Sequence, residues 1–249
     1  MELSRVKAVV TGGARGLGLH FVRELARRGA QVVAGDLDAA GLRRLRDELP
    51  RVTVAAVDVS IEASVGEFVA AAHRALGAID VLVNNAGILR DGLLVARDAG
   101  ADRKLPLAVW QRVLDVNLTG AFLMTREVAA RMVGDGTRGV VINISSLARS
   151  GNPGQSSYAA SKAGLDACTR TWALELAPYG IRVGGVAPGV IETPMLGEIS
   201  EAAMRELAAA IPLGRIGTPA DVWTALQMII ECDFFTGRTI EIDGGARMG

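Results

Sequence analysis

The amino-acid sequence predicts an α/β fold: a doubly wound, seven-stranded parallel sheet with helices on both faces. Short runs of β-branched residues alternate with longer helical patterns along almost all of the 249 residues, which is typical of right-handed β–α–β crossovers. Most of these runs are continuously apolar rather than alternating, as strands covered on both faces are. Because no break in composition and no repeat divides the sequence, we expect one domain over residues 1–249.

The elements follow one another in a regular order. The predicted strands span residues 6–10, 31–34, 52–57, 81–83, 140–144, 181–186 and 239–242. The predicted helices between them span residues 18–28, 39–48, 61–76, 107–132, 158–177 and 219–231. Ser60 and Thr218 are predicted N-caps, and Pro219 occupies a first helical position. Gly29 and Gly77 follow helix ends.

Two stretches fit this alternation poorly. Residues 89–106 are charged and contain glycine and proline, so we expect an excursion or hairpin beside the sheet edge. Residues 188–217 contain one short predicted helix, 201–210, among several prolines and glycines. Ligands of a doubly wound sheet bind outside the carboxyl ends of its strands, where this second segment begins. It is therefore well placed to be a lid.

Composition excludes several classes of protein. Lys+Arg and Asp+Glu both number 27, and a formal net charge of zero is unlike a nucleic-acid binder. The two cysteines, Cys168 and Cys232, lie too far apart for a zinc motif, and two alone do not make a disulfide framework. No apolar run approaches the roughly 18 residues that a membrane span needs. We therefore expect a cytoplasmic protein with no metal, no nucleic-acid partner and no membrane contact.

A glycine-rich loop, TGGARGLG at residues 11–18, directly follows the first strand and opens the first helix. Glycine lets the backbone turn tightly and approach a pyrophosphate, whose charge is stabilised by a helix N-terminus. The loop therefore predicts a Rossmann-type cofactor site. Its expected cofactor contacts are Gly12, Arg15, Gly16, Leu17 and Gly18.

Asp36 ends the second strand, beside Leu37, where the adenosine ribose of such a cofactor would lie. A carboxylate there accepts hydrogen bonds from the ribose hydroxyls and repels a 2′-phosphate. Arg15 could instead bind that phosphate, pair with Asp36 or simply lie exposed. We weigh Asp36 more heavily, because a carboxylate beside a phosphate is directly repulsive. The cofactor expected is NAD, with NADP second.

Tyr158 and Lys162 share one face of a predicted helix, since they are four residues apart. A free tyrosine has a pKa near 10, and lowering it by about three units requires about 4 kcal/mol of phenolate stabilisation. A partly desolvated lysine and a positive nicotinamide are expected to supply it. Ser145 lies 13 residues before Tyr158, at the end of the fifth strand, and can donate to a substrate oxygen. This spacing favours Ser145 over the adjacent Ser146.

Taken together, these motifs resemble the short-chain dehydrogenase/reductase family over essentially the whole chain. The matching pieces occur in the family's order: TGGARGLG, Asp58-Val59, NNAG at residues 84–87, Asn117 of VLDVNLTG, Ser145, YAASK at residues 158–162, and Pro188-Gly189 followed by Thr193. Within the family the chain is most similar to 3-oxoacyl-acyl-carrier-protein reductases and type 2 3-hydroxyacyl-CoA dehydrogenases.

The resemblance implies roles for individual residues. The implied catalytic residues are Asn117, Ser145, Tyr158 and Lys162. The further implied cofactor contacts are Asp58 and Val59 at the adenine, Asn85, Ala86 and Gly87 along the cofactor, Lys162 at the nicotinamide ribose, and Ile191 with Thr193 at the carboxamide. Tyr158, Pro188 and Gly189 are implied cofactor contacts as well. Asn84 belongs to the same motif, and Asn117 is expected to distort its helix and support a proton relay to Lys162. A homotetramer is also implied, with the helices 107–132 and 158–177 pairing across a two-fold axis through the small residues Ala159, Ala160, Ala163, Gly164 and Ala167.

Three functions remain open at this point. The first is NAD(H)-dependent interconversion of a 3-oxoacyl and a 3-hydroxyacyl thioester. The second is the same chemistry on a free secondary alcohol, steroid or sugar. The third, from another class, is a non-catalytic nucleotide sensor, which is disfavoured by the intact catalytic set.

The expected apolar lid residues are Ile191, Met195, Leu196, Ile199 and Met204, which suit an acyl or ring skeleton better than a sugar. The basic residues Arg103 and Lys104 could contact thioester phosphates or simply be solvated.

Overall fold

A computed structural model describes residues 1–98, 101–193 and 200–246. Seven parallel strands form one sheet in the order β3-β2-β1-β4-β7-β8-β9. Their bounds are β1 Lys7–Thr11, β2 Gln31–Asp36, β3 Thr53–Ala56, β4 Val81–Asn84, β7 Val140–Ile144, β8 Arg182–Pro188 and β9 Thr239–Ile242. The direction of winding reverses between β1 and β4, which makes their carboxyl ends the switch point where ligands bind. The predicted fold class is confirmed.

Helices cover both faces of the sheet. They are α1 Gly16–Arg27, α2 Ala39–Glu48, α3 Glu62–Leu76, α4 Leu107–Leu114, α5 Gly120–Asp135, α6 Ser156–Leu176, α7 Glu201–Ala209 and α8 Pro219–Glu231. On one face the fully buried Phe21 of α1 and Leu226 of α8 pack against the central strands. On the other, Phe68 of α3 and Met124 of α5 do so. Helices thus shield both faces of β1, β4 and β7 from water, which explains the unbroken apolar runs of these strands.

The long helix predicted over residues 107–132 is two helices in the structure. A π-helical turn, Asp115–Thr119, joins α4 to α5, and α5 continues to Asp135. A π-turn inserts one extra residue into a helix and leaves the apolar periodicity on each side intact. The hydrophobic pattern therefore could not reveal it.

Two predicted helix starts had different outcomes. The N-cap prediction for Thr218 is confirmed: its side chain accepts from the backbone N–H of Asp221, whose carboxylate accepts from Thr218 N in return. The prediction for Ser60 is wrong, because Ile61 occupies the N-cap position of α3. Ser60 instead donates its hydroxyl to Asp58 Oδ1 over 2.6 Å. Helix α3 begins at Glu62, one residue later than predicted, so Ser60 lies before the N-cap position.

The excursion at residues 89–106 is a separate antiparallel hairpin, β5 Val95–Asp98 with β6 Ala101–Lys104. Before the hairpin, Gly92 pairs with Gln155, and Gly92 N donates to Gly154 O over 2.8 Å. The excursion is therefore attached to the loop that precedes α6. Among the helices of the described ranges, none is long and apolar enough to cross a membrane.

Candidate active site

The glycine loop between β1 and α1 lies against the loop that follows β4. Gly12 has φ +66°, and a Cβ added there would lie 2.9 Å from Ala86 Cα. A Cβ at Gly18 would collide with the carbonyl oxygen of Gly12. Helix α1 begins at Gly16, so the N–H groups of its first turn have no partner within the helix. This closely packed loop at a helix N-terminus fits a pyrophosphate.

Thr11 and Asn85 join these two loops by hydrogen bonds. Thr11 Oγ1 accepts from the backbone N–H groups of Asn85 and Ala86, each over 3.1 Å. Asn85 Nδ2 donates to the carbonyl oxygens of Thr11 and Gly12 over 3.0 and 3.1 Å. The structure thus gives Asn85 and Ala86 a role in holding the glycine loop. Thr11 shares that role, although the sequence patterns did not single it out.

Asp36 is held in place by the backbone. Its Oδ2 accepts from Ala14 N and its Oδ1 accepts from Asp38 N, both over 3.0 Å. One carboxylate oxygen therefore binds the glycine loop and the other binds the start of the next turn. Leu37, between Asp36 and Asp38 in the chain, is 60% exposed. Arg15 is exposed as well, and its charge helps, after the backbone N–H of Gly41, to lower the pKa of Asp38.

Asp58 also has a fixed carboxylate. Its Oδ1 accepts from Ser60 Oγ and from Ser60 N, and Arg112 Nη2 lies 3.8 Å from its Oδ2. Burial raises the pKa of Asp58, but the bonds from Ser60 and the charge of Arg112 outweigh burial and lower it. The neighbouring Val59 turns its side chain inward, against Gly120 of α5. The adenine side of the expected site is therefore lined by the carboxylate, not by the valine side chain.

The segment after β8 contributes mainly backbone. A Cβ at Gly189 would lie 2.8 Å from Asp243 Cα, so the chain turns closely past the end of β9. Ile191 is 5% exposed, pairs with Gly217 and packs into the core. Thr193 Oγ1 lies 3.4 Å from the Ile191 carbonyl oxygen. Of the expected lid residues, Met195, Leu196 and Ile199 lie outside the described ranges, and Ile191 belongs to the core.

Lys162 is almost completely buried, at 4% exposure. Its Nζ donates to the carbonyl oxygen of Ile144, at the end of β7, over 2.6 Å. Burial lowers the pKa of Lys162 to about 8. Nζ lies 5.6 Å from the centre of the Tyr158 ring, so the two side chains share one face of α6.

Tyr158 differs from expectation in its electrostatics. Burial raises its pKa, a hydrogen bond with the Ser146 side chain opposes that rise, and the charge of Asp91 adds to it. We expected a lowered pKa with Lys162 contributing. In the protein alone, desolvation outweighs the favourable contacts, and the Lys162 amine is directed to Ile144 rather than to the phenol.

The positions of the two serines after β7 do not support the choice made from the sequence, which favoured Ser145 over Ser146. Ser145 continues the strand: its N–H donates to Val186 O, and its Oγ donates to the Lys162 carbonyl oxygen over 3.2 Å. It is 3% exposed and lies between the sheet and α6. Ser146 is only partly buried, and its side chain is the serine side chain that lowers the pKa of Tyr158, against the effect of burial. The geometry therefore runs against Ser145 and favours Ser146 beside the phenol.

Asn117 lies in the π-turn and holds two other elements. Its Oδ1 accepts from Ile88 N over 2.8 Å, and its Nδ2 donates to Ile88 O over 3.0 Å. Nδ2 also lies 3.2 Å from Ser161 Oγ of α6. A Cβ added at Gly87 would lie 3.4 Å from Asn117 Oδ1 and 3.7 Å from Lys162 Nζ. Asn117 and Lys162 thus meet at the loop after β4.

A buried chain of polar side chains, which the sequence patterns did not predict, crosses the core behind this site. Asn84 of β4 donates to Thr125 of α5 and to Asn143 of β7, each over 2.9 Å. Asn143 donates in turn to Thr169 of α6, also over 2.9 Å. Asn84 therefore fixes α5 directly, and α6 through Asn143, against the sheet. Among the described residues, no group of three or more potential metal-ligating side chains was found.

This arrangement agrees with comparisons to known proteins. The model of the short chain dehydrogenase family matches residues 6–204. The chain belongs to this family. It is 40% identical to a 3-oxoacyl-[acyl-carrier-protein] reductase of Thermotoga maritima, over 98% of this chain and 99% of that protein. It is also 40% identical to human 3-hydroxyacyl-CoA dehydrogenase type-2, over 97% and 95%. A cis-4-hydroxycyclohexanecarboxylate dehydrogenase of Sinomonas cyclohexanicum is 37% identical, over 96% and 95%.

Membership of the family defines the class of reaction. The chain is an oxidoreductase acting on CH–OH groups, and its family uses NAD(P) cofactors. The glycine loop, the fixed Asp36 and the fixed Asp58 fit a dinucleotide along the switch point between β1 and β4.

Proposed function

We propose that this protein interconverts a 3-oxoacyl and a 3-hydroxyacyl thioester with NAD(H), using Tyr158 as the acid and base. The observation that carries the proposal is the meeting of Tyr158, Ser146 and Lys162 at the carboxyl end of β7, next to the switch point. Tyr158 contributes an exchangeable proton, Ser146 a second hydroxyl, and Lys162 a buried amine.

Ser146 is suited to hold the substrate oxygen. Its Oγ already accepts from Ala148 N, which orients the hydroxyl, and its own proton can be donated. In reduction, Tyr158 donates its proton to the carbonyl oxygen that Ser146 orients. In oxidation, the phenolate removes the same proton from the alcohol. When bound, a nicotinamide would supply the hydride in reduction and accept it in oxidation.

Lys162 stabilises the phenolate through its positive charge and binds the nicotinamide ribose. Because its pKa is about 8, the amine is largely protonated at neutral pH but close to its midpoint. Asn117 bonds Ile88 and so holds the segment that lies beside the Lys162 amine. Its place in the distorted π-turn lets it support proton exchange with Lys162. Ser145 is a positioning residue in this proposal, since it bonds the Lys162 carbonyl and not the substrate.

The preference for NAD(H) over NADP(H) rests on Asp36. Two backbone N–H groups hold its carboxylate, so it cannot swing away from an added 2′-phosphate without breaking both bonds. Arg15, in contrast, is exposed and forms no ion pair within 4 Å in the described part of the chain. It is free to move toward a phosphate, but it cannot remove the repulsion from Asp36.

The thioester substrate is supported by two relatives, whose names specify acyl-carrier-protein and CoA derivatives. The exposed basic residues of the hairpin, Arg103 and Lys104, lie on the strand that leads back to α4 and could contact the phosphates of such a carrier. A free cyclic alcohol is the second candidate, because the third relative is named for one.

A homotetramer is the assembly we propose. The two-fold contact expected from the family would use α5 and α6, where Ala163, Ala167 and Phe122 are exposed. Gly164 has a different reason to be small: a Cβ there would lie 3.0 Å from Leu118 Cδ2 of the same chain. The glycine thus permits α6 to approach the π-turn rather than a second copy.

The proposed function is tested with NADH and acetoacetyl-CoA, following loss of the nicotinamide absorbance. Tyr158→Phe should abolish turnover, because no other side chain can exchange the proton, while NADH affinity stays within a few-fold of wild type. Substantial turnover by the purified variant would refute the role of Tyr158. A wild type that binds NADH but oxidises it with no ketone or thioester would instead favour a nucleotide sensor.

A further inference from the structure

The segment 88–92 forms a fixed edge beside Tyr158. At one end, Ile88 is held on both its N–H and its C=O by Asn117. At the other, Gly92 N donates to Gly154 O, and Gly92 pairs with Gln155, three residues before Tyr158. Asp91 lies next to the second anchor, so its backbone is held between two sites of attachment.

Asp91 is a charge without a partner on this edge. Its side chain is exposed, and within residues 1–98, 101–193 and 200–246 its carboxylate forms neither a hydrogen bond nor an ion pair. Its charge nevertheless reaches the phenol, where it adds to the effect of burial in raising the pKa of Tyr158. Together with the pairing of Gly92 and Gln155, three residues before Tyr158, this places Asp91 at the edge of the space in which the reacting carbonyl must bind.

The other charged groups near the phenol are the same in wild type and in a variant of Asp91. Lys162, on α6, has its Nζ 5.6 Å from the centre of the Tyr158 ring and donates to Ile144 O. Ser146, after β7, is neutral, and Arg149 farther along the same loop is paired with Glu241 of β9. A comparison of wild type with an Asp91 variant therefore isolates the charge of Asp91.

We propose that Asp91 is a specificity-determining residue that selects against substrates carrying a carboxylate next to the reacting ketone, and so favours thioesters, esters and neutral ketones over free 3-oxo acids. The proposal rests on the proposed function, because it takes the carbonyl to be bound at Tyr158. In a free 3-oxo acid the carboxylate is separated from the ketone carbon by one methylene, so it must lie within a few ångströms of the phenol. Repulsion between two like charges several ångströms apart, in surroundings between protein and water in polarity, changes kcat/KM by roughly 3- to 30-fold.

The experiment compares acetoacetate with ethyl acetoacetate, which has the same 3-oxobutanoyl group but no charge, each with NADH. Asp91→Asn should raise kcat/KM for acetoacetate by roughly 3- to 30-fold and leave that for ethyl acetoacetate within about two-fold. Asp47→Asn is the matched control, since it removes an equally exposed carboxylate from α2, and it should change neither value. An equal change for both substrates, or no gain for acetoacetate, overturns the proposal.

A second readout needs neither substrate nor cofactor. The chain has two tyrosines, so Tyr179→Phe leaves Tyr158 as the one phenol that titrates in ultraviolet absorbance. In that background Asp91→Asn should lower the pKa of Tyr158, and Asp47→Asn should not. No shift would overturn the placement of Asp91 beside the phenol. If the shift occurs but wild type reduces neither ester nor thioester, the proposed function fails while the electrostatic contact stands.

Discussion

Replacing Lys162 by methionine should make the protein more stable while removing its activity. The Lys162 amine is buried, and its pKa of about 8 lies below the ordinary 10.5. At about 1.4 kcal/mol per pKa unit, this difference means that burying the charged amine costs about 3 kcal/mol at neutral pH. The hydrogen bond to Ile144 O offsets about 1 kcal/mol, which methionine would lose. We expect Lys162→Met to raise the free energy of unfolding by about 2 kcal/mol.

The gain in the free energy of unfolding of Lys162→Met over wild type depends on pH, and it becomes smaller as the pH rises. Below pH 8 the Lys162 amine is protonated in both the folded and the unfolded chain, so wild type carries the full burial penalty. Between 8 and 10.5 the folded amine loses its proton while the unfolded one keeps it, and the stability of wild type rises toward that of the variant. The difference between the two proteins should therefore shrink as the pH rises through this window.

Urea unfolding followed by tryptophan fluorescence, at about pH 7 and about pH 10, measures both effects. Lys104→Met is the control, because Lys104 is exposed on β6; it should change stability by less than about 0.5 kcal/mol at either pH. A Lys162→Met variant that is less stable than wild type at pH 7 would refute the reasoning, since the amine would then be stabilised by its surroundings.

Three further outcomes are expected. Wild type should have a higher kcat/KM with NAD(H) than with NADP(H), and Asp36→Ala should narrow the ratio; a wild-type preference for NADP(H) would mean that Arg15 dominates. Ser146→Ala should lower kcat by roughly 100-fold or more, and the lost bond from Ala148 N should lower stability by no more than about 1 kcal/mol. Ser145→Ala should keep kcat within a few-fold but destabilise the fold by about 1 kcal/mol. A large loss of kcat in Ser145→Ala but not in Ser146→Ala would instead favour Ser145, which the spacing to Tyr158 selects. Light scattering at micromolar concentration should report a tetramer, and a monomer would contradict the proposed assembly.

The fold was predictable because its signals are local and repeated. Each continuous apolar run needs only its own residues to indicate a strand with two covered faces, and the alternation with helices then restricts the topology. The order of β1 and β4, and the switch point between them, follow from that alternation and the glycine loop. The π-turn and the position of Ser60 were missed, since neither changes the hydrophobic pattern.

At the serine, the spacing to Tyr158 and the structure favour neighbouring residues, and the catalytic role of either one stays a prediction. Counting along the chain selected Ser145, but a strand presents alternate residues to opposite faces. Asn143 points to α5 and α6, where it bonds Thr169, so Ser145 points the same way and is buried under α6. The alternation through Asn143 was the signal that could have identified Ser146. Asp91 could not be found from the sequence, because its place depends on the pairing of Gly92 with Gln155.

The π-turn also shows how a helix can hold one extra residue without turning the rest of its length. Five residues of a π-turn advance about as far around the axis as four residues of an α-helix, so deleting one residue from Asp115–Thr119 would regularise the helix and leave α5 in nearly its present orientation. Met124 and Val128 would therefore stay buried against α3 and the sheet. What the deletion would remove is the local distortion that carries Asn117, whose side chain bonds Ile88 and Ser161. A shortening that improves local hydrogen bonding would thus spare the core and detach the loop after β4.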